Sequence, residues 1–565
     1  MKIQHLFLAG LCLFSSTNFL NAQTHDYAFA QHLSTYFLGA QRCGNTQSWI
    51  QPEGGGGCHT TDGQAVGKDL SGGWHDCGDY IKFHVTGPYT ALMNLYGYDK
   101  FPEAYADNYS PAYSKAPGNG IPDVLDEVKI ETDYLIKCAN DGITIYWQIG
   151  DGKDHNSFNE PISNSEETLY NGSKIRPVYT ATEGHSNAFG SSAAALALMS
   201  IVYKPYDATY AQQCLDAAIK YYNVGKTNMN KTADAVSGDG FYAWLGQQYS
   251  YYQDEMGMGA ALLHRATATQ SYLTDAISFA SSAQSYGQFN YGAIDHLLFF
   301  ELYKITGTNS YLDKVKWRVE NYNLASCGYF HNTNWGSLRD AGNAAFLAGL
   351  YHAETGNATA YQFAKSNVDF ILGTHGYISA DAPANFSFLI GYNQLGGGYP
   401  QHPHHGAAFG KSTNAWGQYT TEGNNPGSVN FEFELKGGLA GGPEASCASF
   451  TDNITNYVSS EYCSYYNAAF TGAVAYINKV ENNLVTNTTE TKANTFQVFP
   501  NPAQNFVTIE STSQQAQFVI YDSLGRLVTE FTVIGKQQID LTEWTTGVYE
   551  VKNLTNQTSK RFVKQ

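Results

Sequence analysis

Two aspartates three residues apart, Asp76 and Asp79, sit in the segment Ser71-Gly72-Gly73-Trp74-His75-Asp76-Cys77-Gly78-Asp79-Tyr80. Flanking glycines let backbone and ligand approach closely. Paired carboxylates can divide acid and base work between them, although Asp-x-x-Asp alone also serves as a turn cap or as calcium ligands. Near the far end of the chain, Glu461 precedes Tyr465-Tyr466-Asn467-Ala468, with Asp452 shortly before it. By themselves these read as a helix-leading Glu and a loop or helix cap. His402, His404 and His405 offer a metal cluster, but their Gly/Pro loop lacks a helical i, i+4 geometry. Asp254-Glu255 suits calcium or a helix first turn.

Helices must hold these groups in place. Spacings of three and four recur over Tyr27–Arg42, Phe83–Tyr98, Pro122–Asn140, Asn187–Lys204, Tyr210–Lys226, Tyr252–Thr267, Tyr272–Gln284, Gly292–Thr306, Ser310–Tyr322, Leu338–Thr355, Ala358–Leu372 and Ala468–Asn483. Many look apolar over more than one face, as helices packed on two sides do. Six helical hairpins closed into a ring, an (α/α)6 barrel, is an economical arrangement. Its loops would gather at one end, and the Gly-rich segments 44–80, 141–186 and 374–450 hold much of the Trp, His, Asp and Glu, as functional loops do. Gly54–Gly57 lacks the strand–helix context of a nucleotide loop. The fold class expected is mainly α, followed by a small all-β C-terminal domain. There, Gln517–Tyr521 and Gly547–Val551 are β-rich, with a turn signal at 522–525.

The 565 residues include 42 Tyr and 55 Gly, with 43% apolar and only 15% charged. That excludes a disordered solvating chain. A net charge of −18 without a Lys/Arg run argues against nucleic acid and anionic polymers. The tail after Asn494 holds six basic and six acidic residues, so the acidity belongs to the large domain. Abundant Tyr and Trp with little charge suits a flat, neutral, hydroxyl-rich partner. Residues 1–22 read as a secretion signal: Lys2, an apolar run over 6–14, and Ala22 before the cut. That run is too short to span a bilayer. The boundaries expected are 1–22 signal, 23–483 large domain, 484–495 polar linker and 496–565 tail. Apart from Cys12, eight cysteines remain: Cys43, Cys58, Cys77, Cys138, Cys214, Cys327, Cys447 and Cys463. Export permits disulfides, but the connectivity is not readable and buried thiols remain an alternative.

The Gly-Gly-Trp-His-Asp-Cys-Gly-Asp segment resembles the motif of glycoside hydrolase family 9, the inverting cellulases. Further matches follow in order: Gln41-Arg42, Asn119 to Glu127, Gly150 to His155, Arg176-Pro177-Val178-Tyr179, Trp335 to Arg339, His404-His405, Asp452, Glu461 and Tyr466-Asn467-Ala468. The resemblance covers about residues 25–483 and implies an (α/α)6 barrel. It implies Asp79 as general base, Asp76 as partner on the attacking water, Glu461 as general acid and Asp452 as a signature acid ahead of it. Sugar contacts fall to His155, Trp335, Arg339, His404 and Tyr466; for Trp335 and Tyr466 the alternatives are core packing and a helix cap. Asp254 and Glu255 match a calcium pair in some relatives, and no other cofactor is required. Inverting hydrolysis needs two carboxyl groups about 6.5–9.5 Å apart with a water between one of them and the sugar.

Several residues depart from the family pattern. Gly406 replaces an arginine, Tyr465 an aspartate, Cys77 an alanine, and Asn453-Ile454 follow Asp452 where Asp-x-Arg is usual. Tyr291-Gly292-Ala293-Ile294 replaces Trp-Asp-x-Lys and removes a carboxylate expected near the calcium pair. The tail, with Phe499-Pro500-Asn501-Pro502 and Lys560-Arg561-Phe562-Val563-Lys564-Gln565, resembles a type IX secretion sorting domain; the rival, a carbohydrate-binding sandwich, rests on Trp544 alone. The expectation is an exported monomeric endo-β-1,4-glucanase with a β-glucan substrate, the type IX machinery as partner, no nucleic acid and no membrane span. The alternatives are action on another β-linked polymer (mixed-linkage glucan, xyloglucan, a glucosamine oligomer) or carbohydrate binding without catalysis.

Overall fold

The computed structural model describes residues 25–45, 58–108, 118–155, 175–229, 251–283, 288–408, 433–484, 496–511, 516–522, 526–554 and 559–565. The expected signal over 1–22, Gly54–Gly57, the turn after Asp522 and the linker beyond Leu484 lie outside them. The chain divides into two compact units between Leu484 and Val485.

Among the described residues, twelve helices of ten residues or more build the first unit: α1 (Tyr27–Tyr36), α2 (Thr86–Lys100), α3 (Asp123–Cys138), α4 (Ser186–Val202), α5 (Ala208–Lys226), α6 (Gln253–Thr267), α7 (Gln270–Ser282), α8 (Asp295–Thr306), α9 (Asn309–Glu320), α10 (Ser337–Thr355), α11 (Ala358–Ile371) and α12 (Ser464–Glu481). The even-numbered helices form an inner ring. Thus α2 packs on α4, α4 on α6, α6 on α8, α10 on α12, and α12 on α2. Between α8 and α10, Tyr303 and Lys304 both reach Glu354. Each odd-numbered helix lies outside an inner partner: α1 on α12, α3 on α2, α5 on α4, α7 on α6, α9 on α8 and α11 on α10. This is the (α/α)6 barrel.

Sequence decides which helix goes where. Every residue of α4 except Ile201 is buried, so it needs apolar or small residues all round. In α9 only Val315 and Val319 are buried, spaced four apart on one face. A three-stranded antiparallel sheet, β1 (Lys82–Phe83), β2 (Ile145–Ile149) and β3 (Val178–Ala181), carries loop residues beside the ring. It falls partly in segments read as loops, although Ile145-Tyr146-Trp147-Gln148-Ile149 is a β-rich run.

The second unit is all-β, as expected. One sheet has the order β10-β9-β6-β7 and the other β4-β5-β8, with β4 (Gln497–Phe499), β5 (Phe506–Glu510), β6 (Ala516–Asp522), β7 (Leu527–Val533), β8 (Lys536–Asp540), β9 (Gly547–Asn553) and β10 (Ser559–Lys564). Its own core includes Val507, Ile509, Phe518, Ile520, Val551 and Phe562. Trp544 packs on Tyr549, ring centroids 4.9 Å apart, and against this core, so its ring serves packing rather than a sugar platform.

Candidate active site

The loop Leu70–Tyr80 is fixed from below before it presents any carboxylate. Trp74, part of the Gly-Gly-Trp-His-Asp motif, is buried: its indole Nε1 donates to Glu127 (3.1 Å) and its backbone N to Glu131 (2.9 Å). Glu127 also takes Arg42 at 2.5 Å with both side chains buried. Gly73 has φ +75°, and a Cβ there would sit 2.7 Å from the Tyr134 ring; only glycine fits this crossing. Lys82 Nζ donates to the carbonyls of Leu70 and Gly72, both at 2.9 Å, and pairs with Asp62 at 2.7 Å. Arg176 grips Asp62 with two nitrogens, reaches the Tyr80 carbonyl at 2.6 Å and meets Asp154 at 3.3 Å. One buried guanidinium therefore positions the neighbours of both Asp79 and His155.

Above that support the three carboxylates converge. Asp79 is 3% exposed. Its Oδ2 pairs with His155 Nδ1 at 2.7 Å, while Oδ1 is buried and has no hydrogen-bond partner among the described residues. Burial would lower the His155 pKa, but the Asp79 hydrogen bond and charge prevail and raise it. Asp76 accepts from the Thr86 hydroxyl. Burial, then the charge of Asp79, pushes the Asp76 carboxyl well above its usual range. Glu461 accepts from Trp335 Nε1 and from the Tyr466 hydroxyl, both at 2.8 Å and both on Oε2. Its pKa is also raised: burial and the Asp79 charge outweigh those two hydrogen bonds.

The remaining expected residues separate into contacts and supports. Trp335 is 41% exposed, so its ring stays open while its N–H holds Glu461. Tyr457, which the sequence reading missed, lies 5.2 Å from Trp335 and 6.3 Å from His404 by ring centroid and is itself exposed. Nothing but the general abundance of Tyr marked it. His404 is buried, donates Nδ1–H to the Ile454 carbonyl at 2.6 Å and is pushed down to about 4 by burial; it bridges Glu461 through backbone. Arg339 donates to Asp340 at 2.9 Å, with its guanidinium about 5.8–6.0 Å from the rings of Tyr291, Tyr465 and Tyr466. Asp452 is not brought to the other carboxylates as a reacting group. It accepts from Gln401 N and His402 N and pairs with His402 Nδ1, clamping the loop that carries His404. The three histidines take separate partners, and no metal-ligand group among the described residues includes them. The departures fall into place too: Gly406 N donates to the Gly78 carbonyl at 2.9 Å, and Tyr465 packs edge-on against Tyr291.

Two groups suit metals. Asp254 and Glu255 are buried in the first turn of α6, and Asp254 Oδ1 and Glu255 Oε2 have no hydrogen-bond partner among the described residues. Asp295, in the first turn of α8, feels the same cluster: burial and the Asp254 charge push it up to about 8. Crowded buried carboxylates with spare oxygens fit calcium. The second group was missed. Cys43, Cys58, His59 and His75 are all buried, with one donor atom from each within 4.8 Å of the others. Two thiols and two imidazoles are the donor set of a closed tetrahedral zinc site. Burial opposes ionisation of the Cys43 thiol, yet the Cys58 hydrogen bond and the nearby Lys82 charge hold it well below its usual value. The signal available in sequence was the Cys58-His59 pair near His75. The other cysteines divide into disulfides, Cys77–Cys463 and Cys327–Cys447, and buried thiols, Cys138 and Cys214.

A helical barrel that gathers three carboxylates beside an open indole belongs to the hydrolases that cut glycosidic bonds. Residues 27–474 match glycosyl hydrolase family 9, and the chain belongs to that family. Residues 497–565 match the secretion system C-terminal sorting domain, so the protein is exported or held at the cell surface. Endoglucanase A of Bacillus pumilus is 30% identical over 500 residues, covering 84% of this chain and 69% of the relative. The cellulase Cel9M of C. cellulolyticum, solved in complex with cellobiose, is 29% identical at TM-score 0.68 over 81% of this chain and 100% of that one. An endoglucanase from the termite Nasutitermes takasagoensis is 27% identical at TM-score 0.67, with the same coverage. No described helix is long and apolar enough to cross a membrane.

Proposed function

We propose that the protein is an inverting endo-β-1,4-glucanase that cuts internal bonds of cellulose or a related β-glucan, with Asp79 as base and Glu461 as acid. The observation that carries this reading is the asymmetry of the two carboxylates. Asp79 has one oxygen held by His155 and a second, buried oxygen left for a water. Glu461 has both its donors on Oε2, and burial favours its protonated form. In the reaction, Asp79 Oδ1 takes a proton from water as the water oxygen bonds to the anomeric carbon. Glu461 gives its proton to the departing glycosidic oxygen. Attack opposite the leaving group turns a β-linkage into an α-product. Asp76, whose carboxyl burial and the Asp79 charge push toward its protonated form, helps hold the water beside Asp79 or shares its base role. Trp335 and Tyr457 offer faces for sugar rings. Calcium at Asp254 and Glu255, and zinc at Cys43, Cys58, His59 and His75, would be structural: they would fix α6 and the Asp76 loop without touching reacting atoms.

Proton NMR of the protein with cellohexaose tests this. Early α-anomer is expected, and Glu461→Gln should lower kcat by about 10²–10⁴-fold. Early β-anomer would overturn inversion. Intact cellohexaose with cleavage of another β-linked polymer would move the substrate; binding without cleavage of any polymer would leave only recognition.

A further inference from the structure

Cys77 stands between Asp76 and Asp79, and Cys463 stands two residues after Glu461. Their disulfide joins points 386 residues apart. Both cysteines are buried within the barrel's main core. We propose that this disulfide is a positioning bond for the reaction, a covalent strut that fixes how far the acid Glu461 stands from the base Asp79; it rests on the roles proposed above.

Three observations support a strut over general stapling. First, the bond lies between the two reacting segments, whereas the acid and base come from separate loops with no shared helix. Second, the neighbours of both cysteines meet directly: Ser464 N donates to the Asp76 carbonyl at 2.8 Å, and Gly406 N, from the loop that carries His404, to the Gly78 carbonyl at 2.9 Å. Opening the sulfur bond would leave that spacing to these hydrogen bonds and the packing around them. Third, the other disulfide, Cys327–Cys447, joins two half-buried loop positions outside both reacting segments. It supplies a control of the same chemistry. Acid and base must straddle a sugar and a water, so a shift of about 1 Å between them can cost up to about 10²-fold in rate. An interaction that sets that spacing acts on kcat far more than on KM.

The test is Cys77→Ala/Cys463→Ala beside Cys327→Ala/Cys447→Ala in the full chain, with thermal unfolding recorded for each. On cellohexaose the first pair should lose about tenfold or more in kcat with KM within about twofold, and the second should stay near wild type. An aryl β-cellobioside whose leaving group departs without a proton should lose less, because it does not need Glu461 within reach. A second readout needs no turnover: the Trp335 indole N–H, bonded to Glu461, is assigned in ¹⁵N-tryptophan-labelled protein by its loss in Trp335→Phe. Its resonance should move in the Cys77/Cys463 variant and hold in the control. An unmoved resonance, equal loss on both substrates, or alkylation of Cys77 and Cys463 in unreduced protein would each overturn the strut. A wild type that cuts no glucan, with the resonance still moving in the Cys77/Cys463 variant, would instead sink the functional reading.

Discussion

At the residue scale, the proposed acid role of Glu461 rests on what favours its protonated form. Burial raises its pKa, and hydrogen bonds from Trp335 and Tyr466 pull the other way because they stabilise the carboxylate. The alkaline limb of kcat/KM should therefore lie above the ordinary glutamate range. Tyr466→Phe removes one of the opposing bonds, so the acid form should persist to higher pH and the limb should move up by roughly one pH unit. A pH–rate profile that stays fixed or moves down would show that Glu461 is not the group on that limb. The three carboxylates were legible in sequence because Gly-Gly-Trp before Asp76 and Tyr-Asn-Ala after Glu461 give otherwise bland acids a context. Asp452 lacked such context. Its expected place among the reacting groups gave way to a clamp on Gln401 and His402, a role defined by a distant loop that spacing does not reveal.

At the element scale, the helices were legible and the loops were not. A period of three and four survives in every barrel helix, so all twelve were expected, but several first turns moved. The last begins at Ser464 rather than Ala468, placing Tyr465 and Tyr466 in its opening turn beside Glu461. The Cys43, Cys58, His59 and His75 cluster escaped because its members come from three chain segments without a short Cys-x-x-Cys spacing. It brackets the loop that carries Asp76: His75 N donates to the Gln41 carbonyl at 2.7 Å, and Cys43 N to the Gly73 carbonyl at 2.9 Å. Elemental analysis should find about one zinc per chain, and Cys58→Ser or prolonged chelation should lower Tm and weaken kcat together as the loop loosens. Metal-free protein with readily alkylated Cys43 and Cys58 and an unchanged Tm would remove zinc from this site.

At the scale of the whole molecule, two units with separate cores divide the work. The catalytic unit holds the acidic excess, and the tail is balanced. The barrel core draws on α1 through α12 and ends with α12, while the tail buries Phe518, Ile520, Val551 and Phe562 among themselves. Units that bury their own apolar surface can fold alone. Ending the chain after Leu484 should therefore leave kcat/KM on cellohexaose within about twofold, since every group placed at the site lies before that point. The same truncation should stop export in a host that carries the type IX machinery, because the sorting match covers residues 497–565. Fractionated cultures would check both halves at once. Active enzyme accumulating inside the cell is the expected result. A truncated chain that unfolds would show the tail to be part of the catalytic unit's stability, and one that is still exported would deny the tail its sorting role.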